Sequence, residues 1–172
     1  MKPRIESLNP NQWEVYKAVR LRALADTPNA FGSTLEKEIE YSEDDWRSRL
    51  QRTDCRTFIA LSEDGIPIGV AVGAPYEAQA GLFAMWVAPE ERKKGIGRAL
   101  IVAVIDWAKE NHFDEVSLDV ADENLSAIRL YESKGFVKTG ITGTLPTPRE
   151  HITEHQRSLK IRRSDQGGVI NS

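Results

Sequence analysis

Hydrophobic and polar positions recur with two different periods along this chain, and the changes of period mark out its elements. Residues 5–8 suggest a short strand, after which Asn9-Pro10-Asn11 offers a cap and a breaker. Trp13, Val15, Tyr16, Ala18, Val19, Leu21 and Leu24 then give a broad apolar face, so a helix is expected to about Ala25. Asp26-Thr27-Pro28-Asn29 ends it, and 30–33 reads as a connector. Ser42, followed by Glu43, Asp44 and Asp45, has the form of an N-cap and acidic first turn for a second helix reaching Gln51. From Thr57 the period becomes that of strands: 57–61, a turn at Glu63-Asp64-Gly65, then 66–75 and 82–87. Residues 95–112 return to the helical period, with Ile96, Leu100, Ile101, Val104, Ile105, Trp107 and Ala108 on one side. A strand over 115–120, a helix over 124–134 stopped by Gly135, a strand over 136–139, a loop over 142–152 and a last strand over 154–161 complete the order. That order predicts a single α/β domain, a mixed sheet covered by helices.

Length and composition narrow this further. A chain of 172 residues suits one domain, taken as 1–162, with the polar 163–172 as a fraying tail. The net charge of −3 argues against nucleic acid as the main partner. No apolar run approaches the ~20 residues of a membrane span, and the first residues lack a signal-peptide core, so no membrane partner and a cytoplasmic location are expected. Cys55 stands alone, and His112, His151 and His155 are scattered without a ligand pattern, so neither a disulfide nor a metal is expected.

The chemistry concentrates at 87–100, where a strand meets an amphipathic helix through a basic turn with two glycines. Gly95 and Gly97 let backbone approach a ligand, and the first N–H groups of the helix lack intrahelical acceptors. Those donors and the positive end of the helix dipole favour an anion. Arg92, Lys93, Lys94 and Arg98 add four cations within seven positions. A third glycine of a dinucleotide fingerprint is missing at Leu100, and no Gly-Lys-Ser/Thr follows. A second segment runs from Asn124 to Phe136. Asn124, Ala127 and Tyr131 share one helical face, the outer two about 10 Å apart along the axis. By itself this is a capping Asn and a packed Tyr.

Arg92-Lys93-Lys94-Gly95-Ile96-Gly97 closely resembles the cofactor motif of the GNAT N-acetyltransferase superfamily: Arg or Gln, two residues, Gly, one residue, Gly or Ala. Asn124-x-x-Ala127-x-x-Leu130-Tyr131, three residues, Gly135-Phe136 is similar to its second signature, at the usual distance. The resemblance covers about 57–140 and implies a GNAT-like α/β fold with a mixed, mostly antiparallel central sheet flanked by helices. It implies acetyl-CoA as donor, its pyrophosphate held at 92–98 through Arg92, Lys93, Lys94, Gly95, Ile96, Gly97 and Arg98, and no metal. It implies that the strand ending Met85-Trp86-Val87 splays from its neighbour and pairs with pantetheine, and that an amide near Val87 holds the carbonyl oxygen. Asn124, with Ala127, would orient the pantetheine arm, and Tyr131 would protonate the departing thiolate. A phenol of pKa ~10 can donate to a thiolate whose thiol resembles cysteine at ~8.5. The implied activity is acetyl transfer to an amine, in a homodimer; a CoA-binding sensor that transfers nothing is the alternative.

An amine of pKa ~10.4 must lose a proton at pH 7, at a cost of roughly 4 to 5 kcal/mol. The strand at 82–87 offers no carboxylate for this; Glu77, Glu36, Glu38 and Asp119 are the candidates, unranked. The run Glu36, Glu38, Glu40, Glu43, Asp44 and Asp45 reads as a solvated helix face, with attraction of a cationic acceptor as the other reading.

Overall fold

The computed structural model describes residues 3–162, so the tail expected at 163–172 lies outside the described residues. The elements are β1 (Arg4–Ser7), α1 (Trp13–Asp26), α2 (Leu35–Glu38), α3 (Glu43–Gln51), β2 (Arg56–Leu61), β3 (Pro67–Tyr76), β4 (Gln79–Val87), α4 (Ile96–Glu110), β5 (Glu115–Ala121), α5 (Leu125–Ser133), β6 (Val137–Thr144) and β7 (Thr153–Lys160). The seven strands form one sheet in the order β1-β2-β3-β4-β5-β7-β6. Every neighbouring pair is antiparallel except β4 and β5.

Local chemistry accounts for the element starts. Ser42 Oγ accepts the Asp45 N–H at 3.2 Å while Asp45 Oδ2 accepts the Ser42 N–H at 2.9 Å, a reciprocal cap that opens α3. Helix α4 turns Leu100, Ile101, Val104, Trp107 and Ala108 onto β2, β3 and β4, where all five are buried. Strand β3 carries Gly73 beneath Trp107 because a Cβ there would lie 2.5 Å from the indole.

The parallel pair is short. β4 and β5 match only at Ala80 with Val116 and Gly81 with Ser117, and beyond these residues the strands part. Within β4 the register against β3 slips: Trp86 faces Val70 but Phe83 faces Val72, so the β4 side holds an extra residue. Ala84 lies in that bulge with φ of 55°, a left-handed backbone uncommon for a residue with a side chain. The sheet therefore opens into a V, with a bulged strand as one arm.

Two expectations need correction. β4 starts at Gln79 rather than 82, its first turn of strand pairing with Tyr76. The loop expected from 142 starts only after Thr144, because β6 continues past a register slip between Lys138 and Thr142 around Gly140, whose φ is 92°. Every residue of this edge strand is exposed, so no alternation of apolar positions announces it. The sequence singles out no separate element for α2, which is too short to show a period.

Candidate active site

A cleft of about 740 Å³ fills the V between β4 and β5. Met85, Trp86 and Val87 line one wall, and Asp119, Val120 and Ala121 the other. The turn into α4 and the start of α5 close its ends, and Arg20 and Phe31 reach it from α1 and the chain after it. Of the sequence candidates, Arg92, Lys93, Gly95, Ile96, Gly97, Arg98, Asn124, Ala127 and Tyr131 also line this cleft. Lys94 does not: its ammonium pairs with Glu91 at 3.1 Å.

The turn is shaped by backbone rather than by charge alone. Lys93 and Gly95 have φ of 64° and 85°, and left-handed residues of this kind curl successive N–H groups into an anion-binding concavity. Gly95 is the N-cap of α4 and supplies no capping side chain, so the first helical N–H groups stay available. Gly97 has a packing reason besides ligand access, since a Cβ there would lie 2.7 Å from Leu130 and 3.1 Å from Met85. The glycine thus lets α4, α5 and β4 meet. Arg92 is less free than its sequence suggests: Nε donates to the Val87 carbonyl at 3.0 Å and Nη2 to Asp26 Oδ2 at 2.7 Å. The Trp86 indole N–H donates to the same Asp26 oxygen at 2.9 Å. Arg92 therefore clamps the turn to β4 and to the end of α1, and lines the cleft from that fixed seat.

Asn124 sits at the N-cap of α5 but makes no side-chain capping bond, so the capping role read from the sequence is not what holds it in place. Tyr131 is 6% exposed and packs edge-on against Phe136 at 5.9 Å. Burial pushes its phenol pKa upward, so it keeps its proton. Its hydroxyl makes no hydrogen bond among the described residues. Cys55 is half-buried away from the cleft, its thiol pushed up to about 11 by desolvation and by the neighbouring Asp54, which suits no nucleophile.

The carboxylates separate clearly. Glu36 and Glu77 do not line the cleft. Glu38 is not the solvated charge expected from its acidic run: it is fully buried, taking Arg20 Nε and Nη2 at 3.1 and 2.9 Å and Arg49 Nη1 at 2.8 Å. Burial alone would raise its pKa, but the two guanidinium groups outweigh that and hold it below the usual range, which makes it a structural anion. Asp119 does line the cleft, and so does Glu154 of β7, which the sequence did not single out. The one signal for Glu154 was its place in an alternating strand, with no indication of which sheet face that strand would present. Among the described residues there is no cluster of three or more potential metal ligands, and no helix is long and apolar enough to cross a membrane.

The cleft thus lies between splayed parallel strands, with a turn of left-handed residues at one end and a buried phenol inside. A family model described as "Acetyltransferase (GNAT) family" matches residues 20–136. The chain belongs to this family. Mycothiol acetyltransferase of Thermobispora bispora is 33% identical to this GNAT chain over 132 residues, which cover 73% of the chain and 43% of that protein. Streptothricin acetyltransferase A of Bacillus subtilis is 31% identical over 116 residues, 64% of the chain and 67% of that protein. The chain thus spans less than half the length of the first of these relatives. In fold, the GNAT chain is similar to spermidine N-acetyltransferase from Vibrio cholerae solved with CoA and spermine, with a TM-score of 0.73 over 92% of this chain and 95% of that one at 18% identity.

Proposed function

We propose that this protein transfers the acetyl group of acetyl-CoA to an amine by direct attack, with Tyr131 as the acid that protonates the departing sulfur. The observation that carries this reading is the convergence on one cleft of the left-handed turn before α4 and the unpartnered phenol of Tyr131. The site fits the donor on structural grounds. The N-terminus of α4, with Lys93 and Arg98 beside it, offers free N–H groups and positive charge for a pyrophosphate. Beyond Gly81 the edge of β4 that faces β5 has no strand partner, so its backbone can pair with the amides of a pantetheine arm.

Bound acetyl-CoA supplies a thioester carbonyl carbon open to a nucleophile. The chain's own groups do the rest. Backbone N–H donors in the bulged stretch Ala84 to Val87, which lines the cleft, would hold the carbonyl oxygen as it gains charge. Asn124, free of any capping bond, can orient the arm. Tyr131, kept protonated by burial, gives its proton to sulfur.

The test begins with binding. At a hundredfold excess over Kd, acetyl-CoA stabilises the folded state by about 2.7 kcal/mol, about 5 to 11 °C in Tm for a domain of this size. Gly95→Asp, which puts a carboxylate at the anion site, is expected to abolish most of that rise. Gly95→Asn, equal in shape but neutral and tolerant of the left-handed backbone, keeps it. Equal rises in both variants would place the pyrophosphate elsewhere. Thiol release from acetyl-CoA is then followed across polyamines, aminoglycosides, amino acids and peptides with lysine or a free N-terminus. Turnover identifies the acceptor; binding without turnover across this panel points to a CoA sensor.

A further inference from the structure

We propose that Glu154 takes the proton from the acceptor's ammonium group and that Asp119, diagonally across the strand pair, fixes that cation in the cleft. The proposal rests on the acetyl-transfer reading and supplies the base which that reading lacks.

β5 and β7 are antiparallel, with Ala121 opposite Glu154 and Asp119 opposite Gln156. Residues two apart on one strand share a face, so Asp119 and Glu154 are diagonal neighbours, their backbones about 7 to 8 Å apart. Both line the cleft that holds Tyr131. The two carboxylates differ in what surrounds them. Both oxygens of Asp119 accept from the Tyr76 hydroxyl, at 3.1 and 3.0 Å. Tyr76 in turn accepts from Gln156 Nε2 at 2.9 Å, and Gln156 Oε1 accepts from Thr139 Oγ1 at 2.8 Å. This line of donors fixes Asp119 in place and leaves carboxylate lone pairs over for a cation, so it serves as an anchored charge. Phe83, stacked on Tyr76 with ring centroids 6.0 Å apart, adds an aromatic surface beside it, suited to a cation.

The Glu154 side chain makes no hydrogen bond or ion pair among the described residues, and the residue lines the cleft half-buried. Burial and then the charge of Asp119 raise its pKa, with Arg149 from the loop before β7 opposing. From β6 the opposite residue is Gly143, which adds no charge, and Arg20 across the cleft is engaged by Glu38. A carboxylate raised in this way is a better base near neutral pH than an ordinary one. Tyr131 supplies the matching acid, 6% exposed with an unpartnered hydroxyl. The other cleft carboxylate, Glu91, is paired with Lys94 at the turn.

The balance closes. The ammonium loses one proton to Glu154, and the freed lone pair forms the N–C bond to the acetyl carbon as the C–S bond breaks with its pair going to sulfur. Sulfur takes the Tyr131 proton; the nitrogen's surplus proton then restores the phenol through solvent, and Glu154 releases its own, one proton in all.

The test uses the amine that the wild-type protein turns over fastest. Glu154→Gln is expected to lower kcat at least ~10²-fold while the thermal shift with acetyl-CoA is unchanged. The acid limb of the wild-type pH profile, above the ordinary glutamate range, disappears in this variant. In Asp119→Asn that limb moves to lower pH, because removing a neighbouring negative charge favours ionised Glu154, and KM rises. Should the Gln variant fold poorly, Glu154→Asp carries the test: it keeps the carboxylate on a shorter arm and so keeps the limb while losing part of kcat. A kcat within threefold of wild type in Glu154→Gln, with the limb intact, overturns the assignment and leaves acetyl transfer standing. Absence of amine turnover in the wild-type protein overturns both.

Discussion

Tyr131→Phe is expected to lower kcat for acetyl transfer by about 10² to 10⁴-fold, the range by which a positioned proton donor contributes. The acetyl-CoA-induced rise in Tm is expected to stay as it is. The split follows from what the side chain touches. The ring is buried and packs against Phe136 at 5.9 Å, and phenylalanine keeps that contact and the burial. The hydroxyl has no hydrogen-bond partner among the described residues, so removing it orphans nothing, and the cost in stability stays within about 1 kcal/mol. The pH dependence has a sign as well. Burial raises the phenol's pKa, so its protonated form persists through the ordinary range and an alkaline limb near neutrality would have to come from another group. Steady-state kinetics beside a thermal melt decide the matter: a Phe variant with wild-type kcat removes Tyr131 from the acid role.

The second large effect concerns stability. Glu38→Gln is expected to cost about 3 to 5 kcal/mol, because it leaves two guanidinium groups facing a neutral amide inside the protein. For a domain of this size that is roughly 6 to 20 °C in Tm. Glu38 is fully buried between Arg20 and Arg49, and the Arg20 pair is bidentate. Its folded pKa lies below the unfolded value, so its contribution is complete above about pH 4.3 and fades as pH falls through the lower folded value. The wild type and the variant should therefore differ most near neutrality and converge in acid. Calorimetry at pH 7 and at pH 3.5 checks this, and a gap below 1 kcal/mol at pH 7 would show that the triad does not hold α1 to α2 and α3. Arg20 belongs to both this triad and the wall of the cleft, so the same variant should also weaken acceptor binding.

The sequence made the donor half legible for physical reasons. Helix α4 buries one continuous apolar stripe, so its period shows at once, and the two glycines before and within its first turn sit where backbone must approach something closely. The far side of the cleft, and the ion pairs behind it, were not legible. Glu38 stands in a run of acidic residues, and nothing local says that one of them turns inward to meet arginines 18 residues before and 11 after it. Glu154 becomes a cleft residue only through the register of β7 on β5, a long-range pairing that alternation along β7 alone does not specify. Arg92 shows the converse: a basic residue in a phosphate motif whose guanidinium is spent largely on Val87 and Asp26.

The V between β4 and β5 has a mechanical meaning. Its vertex is the pair Gly81 and Ser117, and a Cβ at Gly81 would lie 2.5 Å from the Phe83 ring. From there to Val87 the arm is about 20 Å long, at roughly 3.3 Å per residue. A tilt of only about 3° at the vertex would displace the far end by about 1 Å, and misplacement by that much can cost 10²-fold in rate. If acetyl transfer runs in this cleft as proposed, its spacing is set at the narrow end of the wedge, far from the turn, where a bulkier residue would work with leverage.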